Sequence, residues 1–319
     1  MDALVLIEHG DGAADEGSLQ ALTLARAYPD GAVNAVLFGP GAEEAASGGL
    51  AGVQTAFVTT LEGAAFSPDA WASGICELIG RLAPGVVIAA GSDRGNDVLA
   101  RVAARLDLPL AANCTAAEPS ESGALVTRVR WGGSLLEEAA LEGAPVLLTT
   151  ALHAFAEAPR EGSAAVERVD VTLEQADRVV SVTEHVEAGG GGVSLAEAAV
   201  VVSGGRGVGS AEEFAVIEEL AGLLGAAVGC SRAVTMAGWR PHSDQVGQTG
   251  TKIAPELYIA CGISGATQHM AGCKGAKHLL AINADGEAPI FASADYAVIG
   301  DLHEVLPAIA EAIRKARQP

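Results

Sequence analysis

Long apolar runs are missing from this chain of 319 residues. Its apolar stretches are short and broken by glycine or charge, so no membrane span and no direct membrane insertion are expected. Paired cysteines are missing too. Cys76, Cys114, Cys230, Cys261 and Cys273 are odd in number and widely spaced, with no C-x-x-C among them. They read as reduced thiols of a cytosolic protein. Basic side chains are few against the acidic ones, and the net charge is −21. A nucleic-acid binder needs a basic footprint to displace phosphate counterions, so nucleic acid is not an expected partner. No basic region and apolar leader precede the strand-like run at positions 3–7, so no secretory signal is expected. The only low-complexity tract is a run of four glycines, and no internal repeat is found.

The charge that is there is uneven. Residues 195–319 hold 9 basic and 13 acidic side chains, a net of −4, and the other −17 lies in residues 1–194. A solvated acidic surface that aids solubility is the preferred reading of this asymmetry, the alternative being a scaffold first part beside a second part that handles an anionic ligand. The length suggests two domains. The glycines at positions 189–192 sit badly inside a helix or strand and mark the boundary. The expected organisation is an α/β domain over 1–188, a glycine-rich linker over 189–194 and a second domain over 195–319.

In the first part, apolar runs at 3–7, 32–38, 54–59 and 86–90 alternate with Ala-rich helical stretches at 19–28, 70–81 and 96–106. Alternation of this kind implies a mostly parallel sheet flanked by helices. The stretch from 124–130 through 146–152 has weaker helix signals and is expected to add antiparallel strands. The loop Gly91–Asp97 follows a strand and opens a helix, a place where an anion could bind. Asp93 and Asp97 oppose that, so a helix cap by Asn96 or a neighbour is the preferred reading.

In the second part, Ala198–Val202 is an all-apolar strand, as expected when both faces are covered. Ser203-Gly-Gly-Arg-Gly-Val-Gly209 follows, then Ser210 with Glu213 three residues on, a capping-box pattern for a helix over 211–224. Strand, glycine loop and helix start favour diphosphate binding, and Arg206 could grip phosphate oxygens. The spacing is neither G-x-G-x-x-G nor a Walker loop, so a tight turn with an exposed arginine explains it equally well alone. Strands are expected at 226–229, 257–260, 278–282 and 296–300, with a last helix over 301–317. Most of these strands end in polar or glycine residues, which would converge on one crevice beyond the carboxyl edge of a doubly wound sheet. Val246–Gly250 and Ser264–His269 offer hydroxyl, amide and imidazole groups with exposed backbone. That mixture suits a flat, polar-edged cofactor with a phosphate tail better than a metal or a covalent nucleophile. Taken singly, Thr249 could cap a turn, His269 could start a helix, and Trp239 is more naturally a packing residue.

Residues 196 to 310 resemble the cofactor domain of the electron-transfer flavoprotein alpha subunit. The resemblance rests on Ser203–Gly207, Gly229–Arg232, Gln245–Gly250, Ala254–Ala260, Gly262–His269, Ala281–Asn283, Ala288–Phe291, Asp295-Tyr296 and Gly300–Leu302. The first part resembles the family more loosely, through its opening strand and the Arg101–Arg105 helix. Departures are Thr267 for an aliphatic residue, Cys230 for alanine and Cys273 for methionine.

The resemblance implies the alpha subunit of a heterodimer carrying one FAD. A separate beta subunit would complete the pocket and carry AMP or a second FAD. The complex would be a carrier, not an enzyme. It would take electrons from flavoprotein dehydrogenases, such as the acyl-CoA dehydrogenases of fatty acid beta-oxidation, towards a quinone reductase or respiratory chain. No metal is implied. Thr249 would face the flavin N5, and His269 would donate near O2 and, if protonated, stabilise an anionic semiquinone. Arg232, next to Ser231, would lie beside the ring. Arg206, Ser264, Gln268 and Asn283 would hold the ribityl and diphosphate parts, with backbone of Val246, Gly247, Gln248, Gly265 and Ala266. Gln245, Gly250 and Thr267 complete the two loops, and Asp301 and Leu302 would reach the adenosine end. Two other readings are a nicotinamide-dependent dehydrogenase and a nucleotide-binding module whose flavin site has decayed. The first lacks the G-x-G-x-x-G fingerprint, and intact Arg206, Arg232, Thr249 and His269 oppose the second.

Overall fold

The computed structural model describes residues 2–10, 12–27, 31–59, 66–131, 135–159, 162–182 and 194–317. The chain divides into two compact units, Met1–Val186 and Glu187–Pro319. The expected glycine linker lies outside the described residues except for Ser194.

The first unit runs β1 (Ala3–Leu6), β2 (His9–Gly10), β3 (Ala13–Ala14), α1 (Glu16–Arg26), β4 (Val33–Phe38), α2 (Ala42–Ser47), β5 (Thr55–Thr59), α3 (Pro68–Leu82), β6 (Val86–Ala90) and α4 (Asp93–Leu106). It continues through β7 (Leu110–Ser120), β8 (Gly123–Arg130), β9 (Leu135–Glu142), β10 (Val146–Thr150) and β11 (Ala165–Arg168). Its sheet has nine strands in the order β11-β5-β4-β1-β6-β10-β7-β8-β9. Pairing is parallel from β11 to β7 and antiparallel from β7 to β9. Alternate strand residues explain the two cores. Val5, Ala35 and Ile88 face α1 and α2, while Leu4, Val36 and Val87 face α3 and α4.

One expectation needs correction. The stretch 146–150 is not antiparallel: β10 inserts between β6 and β7 and is parallel to both. All five of its residues are buried. A strand covered on both faces belongs in the middle of a sheet, but its sequence does not state its direction. The loop at 91–97 is a helix cap, as preferred. Ser92 is the N-cap, its Oγ accepting from the Gly95 N–H at 2.8 Å. The same hydroxyl donates to the carboxyl of Glu8, which is 5% exposed at the carboxyl end of β1. Burial pushes the Glu8 carboxyl above its ordinary range. Asn96 Oδ1 instead accepts from Thr149 Oγ1 at 2.8 Å, tying α4 to β10. An acidic side chain therefore fills the point where an anion would have docked.

The second unit runs β12 (Val200–Gly204), α5 (Ala215–Leu224), β13 (Ala227–Cys230), α6 (Arg232–Met236), β14 (Leu257–Cys261), α7 (Thr267–Cys273), β15 (His278–Asn283), β16 (Tyr296–Ile299) and α8 (Leu302–Ala316). All five strands are parallel, in the order β13-β12-β14-β15-β16. Val202, Ile259 and Ile282 pack with α5 and α8 on one face. Val201, Tyr258, Ala260 and Ala281 pack with Cys273 and Ile290 on the other. The fold is thus α/β throughout, and this unit is doubly wound. The capping box is only half made. Ser210 Oγ accepts from the Glu213 N–H at 3.3 Å, but the chain then makes a 3-10 turn, Glu212–Phe214, and α5 starts at Ala215. Asp301 caps α8, accepting from the His303 N–H at 2.9 Å. Among the described residues no helix is long and apolar enough to cross a membrane.

Candidate functional site

The strand order of the second unit fixes where a ligand can sit. The chain leaves β12 for β13 on one side, then returns to place β14 on the other. The loops after β12 and β14 therefore diverge, and the crevice between them lies at the carboxyl edge, the usual ligand position in open α/β sheets. A cleft of about 660 Å³ opens there. Its floor needs glycine. The Gly205 N–H donates to Cys261 O at 2.8 Å and the Gly207 N–H to Gly262 O at 3.1 Å. A Cβ on Gly205 would collide with the Gly262 carbonyl, and one on Gly207 would lie 2.8 Å from Gly262 Cα.

Every strand but the edge strand β16 sends a loop to the cleft. Arg206 comes from β12, Ser231 and Arg232 from β13, Ser264, Ala266, Gln268 and His269 from β14, and Asn283 from β15. The loop holding Gln245, Val246, Gly247, Gln248 and Thr249 closes one wall. The structure thus brings thirteen of the residues singled out in the sequence to one cleft. Gly250, Gly265, Thr267, Asp301 and Leu302 do not line it. Gly250 packs on the Gln245 carbonyl, and Gly265, at φ +85°, packs on Ile290. Thr267 is exposed at the start of α7. Asp301 is engaged as the cap of α8, and Leu302 is a core residue, 4% exposed, against Gly262.

Residues that the sequence reading gave no cofactor contact also line the cleft: Gly207, Ala233, Met236, Gly262, Ile263, Asp285, Ala288 and Pro289. Met236 is 76% exposed, an apolar surface at the rim. Glycines at strand ends were a usable signal for Gly207 and Gly262. Ile263, Ala288 and Pro289 lie in segments that carry the resemblance, and nothing in the local sequence marks Ala233, Met236 and Asp285. Trp239 is absent from the cleft and packs with the α5 and α8 core.

The polar groups are organised by internal bonds. Gln245 is buried, its Oε1 2.7 Å from Thr235 Oγ1, and its Nε2 donates to Thr249 Oγ1 at 3.1 Å. Thr249 is held in place and keeps its own proton to give. Asn283 Nδ2 donates to Ile263 O at 3.0 Å, joining the β14 and β15 loops. The expected backbone donors are already used. The N–H groups of Val246, Gly247 and Gln248 donate to Cys230 O, Thr251 O and Gln268 O. The exposed guanidiniums of Arg206 and Arg232 pair with no carboxylate among the described residues.

His269 differs from its expectation. It is 7% exposed, and burial pushes its imidazole down to about 4. Burial penalises the charged form of the ring. The neutral ring is the resident form, so positive charge at the cleft comes from the two arginines. No cluster of His, Cys, Asp and Glu among the described residues could hold a metal.

A flavin fits this donor set. Two unpaired arginines suit a diphosphate. The Thr249 hydroxyl and the His269 Nδ1, a buried atom with no hydrogen-bond partner, suit the polar edge of an isoalloxazine. The comparisons agree. The model of the electron transfer flavoprotein domain matches residues 3–174, and that of the electron transfer flavoprotein FAD-binding domain matches residues 194–274. The electron transfer flavoprotein subunit alpha of Mycobacterium leprae (strain TN) is 38% identical over 322 residues, covering 99% of each chain. That of Megasphaera elsdenii is 36% identical over 327 residues, covering 98% of this chain and 96% of the relative. Protein FixB of Clostridium saccharobutylicum is 40% identical over 257 residues, covering 79% of this chain and 76% of the relative. With matches to both domain models and near full-length agreement with named alpha subunits, the chain belongs to the electron transfer flavoprotein alpha-subunit family, a family of FAD-binding electron carriers.

Proposed function

We propose that this chain is the FAD-bearing half of a heterodimer that carries electrons without transforming an organic substrate. Residues 1–188 serve as the partner-facing scaffold, 189–194 as the linker and 195–319 as the FAD-binding domain. FAD supplies reversible one- and two-electron chemistry. The chain supplies position and field. Arg206 grips the diphosphate, and Ser264, Gln268 and Asn283 hold the ribityl end. Arg232 lends positive charge beside the ring, where reduction builds negative charge. The Thr249 hydroxyl and the neutral His269 N–H donate to the ring edge. Asp301, exposed at the start of α8 with one carboxylate oxygen taken by the cap, and the backbone of Leu302 would reach the adenosine end.

The observation that carries this reading is the pairing of two uncompensated guanidiniums with a buried, partnerless imidazole nitrogen in one cleft at the switch point. The cleft is open to solvent on the side of Met236, which suits completion by a beta subunit holding AMP or a second FAD. Flavoprotein dehydrogenases, including the acyl-CoA dehydrogenases of fatty acid beta-oxidation, are the proposed donors in the cytoplasm, and a quinone reductase the proposed acceptor. Co-expression with a beta subunit, followed by size measurement, mass spectrometry and an absorbance spectrum, tests the proposal. A yellow 1:1 complex is expected. A stable flavin-loaded monomer with full electron-transfer rates, or a colourless complex that binds NAD, overturns it.

A further inference from the structure

Thr235 sits on α6, the helix that opens with Arg232. Its Oγ1 has two acceptors within reach, the Arg232 carbonyl at 3.0 Å and Gln245 Oε1 at 2.7 Å. A hydroxyl has one proton to give and two lone pairs to receive. The two acceptors are therefore alternatives for the same proton. Bonding back to an earlier carbonyl of its own helix is an ordinary resting state for a threonine.

Gln245 is next in line. It is 3% exposed, and its Nε2 donates to Thr249 Oγ1 at 3.1 Å. Among the described residues, Thr235 and Thr249 are the hydrogen-bond partners of its side chain. The two ends of a primary amide have nearly the same shape and opposite polarity. A half-turn about its last bond exchanges Oε1 with Nε2 at little cost in packing. Each partner is a hydroxyl, which can meet either end.

Two complete arrangements result. In the first, Thr235 donates to Oε1, Nε2 donates to Thr249, and Thr249 keeps its proton for the cleft. In the second, Thr235 donates to the Arg232 carbonyl, Nε2 donates to Thr235, and Thr249 donates to Oε1. Thr249 then offers the cleft an acceptor. Both hydroxyls and both ends of the amide keep a partner in each arrangement, and no proton changes owner. A carboxylate or an ammonium in place of either threonine would fix one of the two. Thr249 is exposed and lines the cleft, so the difference is felt where a ligand sits.

We propose that Thr235 and Gln245 are positioning residues of a two-way relay, through which Thr249 donates to a bare ring nitrogen in one arrangement and accepts from a ring N–H in the other. A flavin presents both: its N5 is bare when oxidised and carries a hydrogen when fully reduced. A fixed donor would suit the first state and oppose the second. The relay lets one threonine serve each in turn. That the ring is a flavin rests on the function proposed above.

The test uses the full chain with its beta subunit, deuterated, with 15N-glutamine and methyl-protonated threonine. NMR cross-peaks from the Gln245 amide protons to the two threonine methyls report which way the amide points. With oxidised FAD bound, the stronger cross-peak is expected to the Thr249 methyl. Dithionite then supplies two electrons and water the protons, and the stronger cross-peak is expected to pass to the Thr235 methyl. Thr249→Val cuts the relay from the ligand, so the cross-peak to Thr235 should be the same in both states. A wild-type amide that points the same way in both states overturns the proposal. So does an amide that still reorients in Thr249→Val. If Thr249→Val fails to fold, the two wild-type spectra decide alone. Flavin absorbance separates the two readings. Bound flavin beside an unmoved amide overturns this inference and leaves the function standing, whereas a complex that takes up no flavin overturns the function and this inference with it.

Discussion

Gln245 holds Thr249: its amide nitrogen donates to the threonine hydroxyl oxygen at 3.1 Å, while its carbonyl oxygen lies 2.7 Å from Thr235 Oγ1. The amide is buried, and the hydroxyl it orients stands at the cleft. Gln245 therefore sets the direction of a donor it does not itself present. Gln245→Ala removes a buried amide together with its bonds to Thr235 and Thr249, a cost of about 1–3 kcal/mol in urea unfolding. It should also shift the flavin potential in the same direction as Thr249→Val. The double variant should shift it no further than Thr249→Val alone, because the two residues act as one unit. An additive shift would show that Gln245 acts by another route.

The buried His269 gives the apo-chain a pH signature. Its folded-state value is about 4 against an ordinary 6.5. Between these, the unfolded chain binds a proton that the folded chain refuses, so falling pH favours unfolding. Stability is expected to be lost as pH drops through this window, by on the order of 3 kcal/mol in total. His269→Asn removes the titrating group and should flatten that part of the profile. Urea titrations from pH 4 to pH 7 check this. A variant profile parallel to the wild type would mean that His269 is not held neutral.

Two glycines of the second unit should respond in opposite directions to alanine. A Cβ on Gly205 would meet the Gly262 backbone, and backbone cannot swing aside. Gly205→Ala should cost roughly 1–3 kcal/mol, as overpacking does, and should weaken FAD binding by parting the two loops. Gly222 lies in α5 with nothing within 4 Å of an added Cβ. Gly222→Ala should stabilise by about 0.4–1 kcal/mol through the unfolded chain. Thermal unfolding of both separates a glycine that shapes the cleft from one that does not.

The parts of this molecule legible in the sequence are those where local pattern and tertiary need agree. The apolar runs that open β12 and fill β14 announce a sheet covered on both faces, and the polar or glycine residues that follow announce the edge where Arg206, Ser264 and Asn283 gather. Three features were hidden for physical reasons. The direction of β10 depends on pairing with β6 and β7, which lie far away in sequence. The charge of His269 depends on burial, which no spacing rule reports. The use of the Asp301 carboxylate as the cap of α8, and of the Leu302 side chain in its core, depends on how that helix packs. Met236 and Asp285 reach the cleft only because β13 and β15 flank the switch point.

The central claim is that one FAD occupies the cleft at the carboxyl edge of β12 and β14, with its diphosphate on Arg206. Equilibrium titration of the apo-heterodimer with FAD, for the wild type and Arg206→Ala, tests it most directly. Loss of a charge-assisted hydrogen bond costs about 1.5–3 kcal/mol, so the account predicts one site in the wild type and roughly 10- to 150-fold weaker binding in the variant. Equal affinity in the two proteins, or no FAD binding by the wild type, would contradict it.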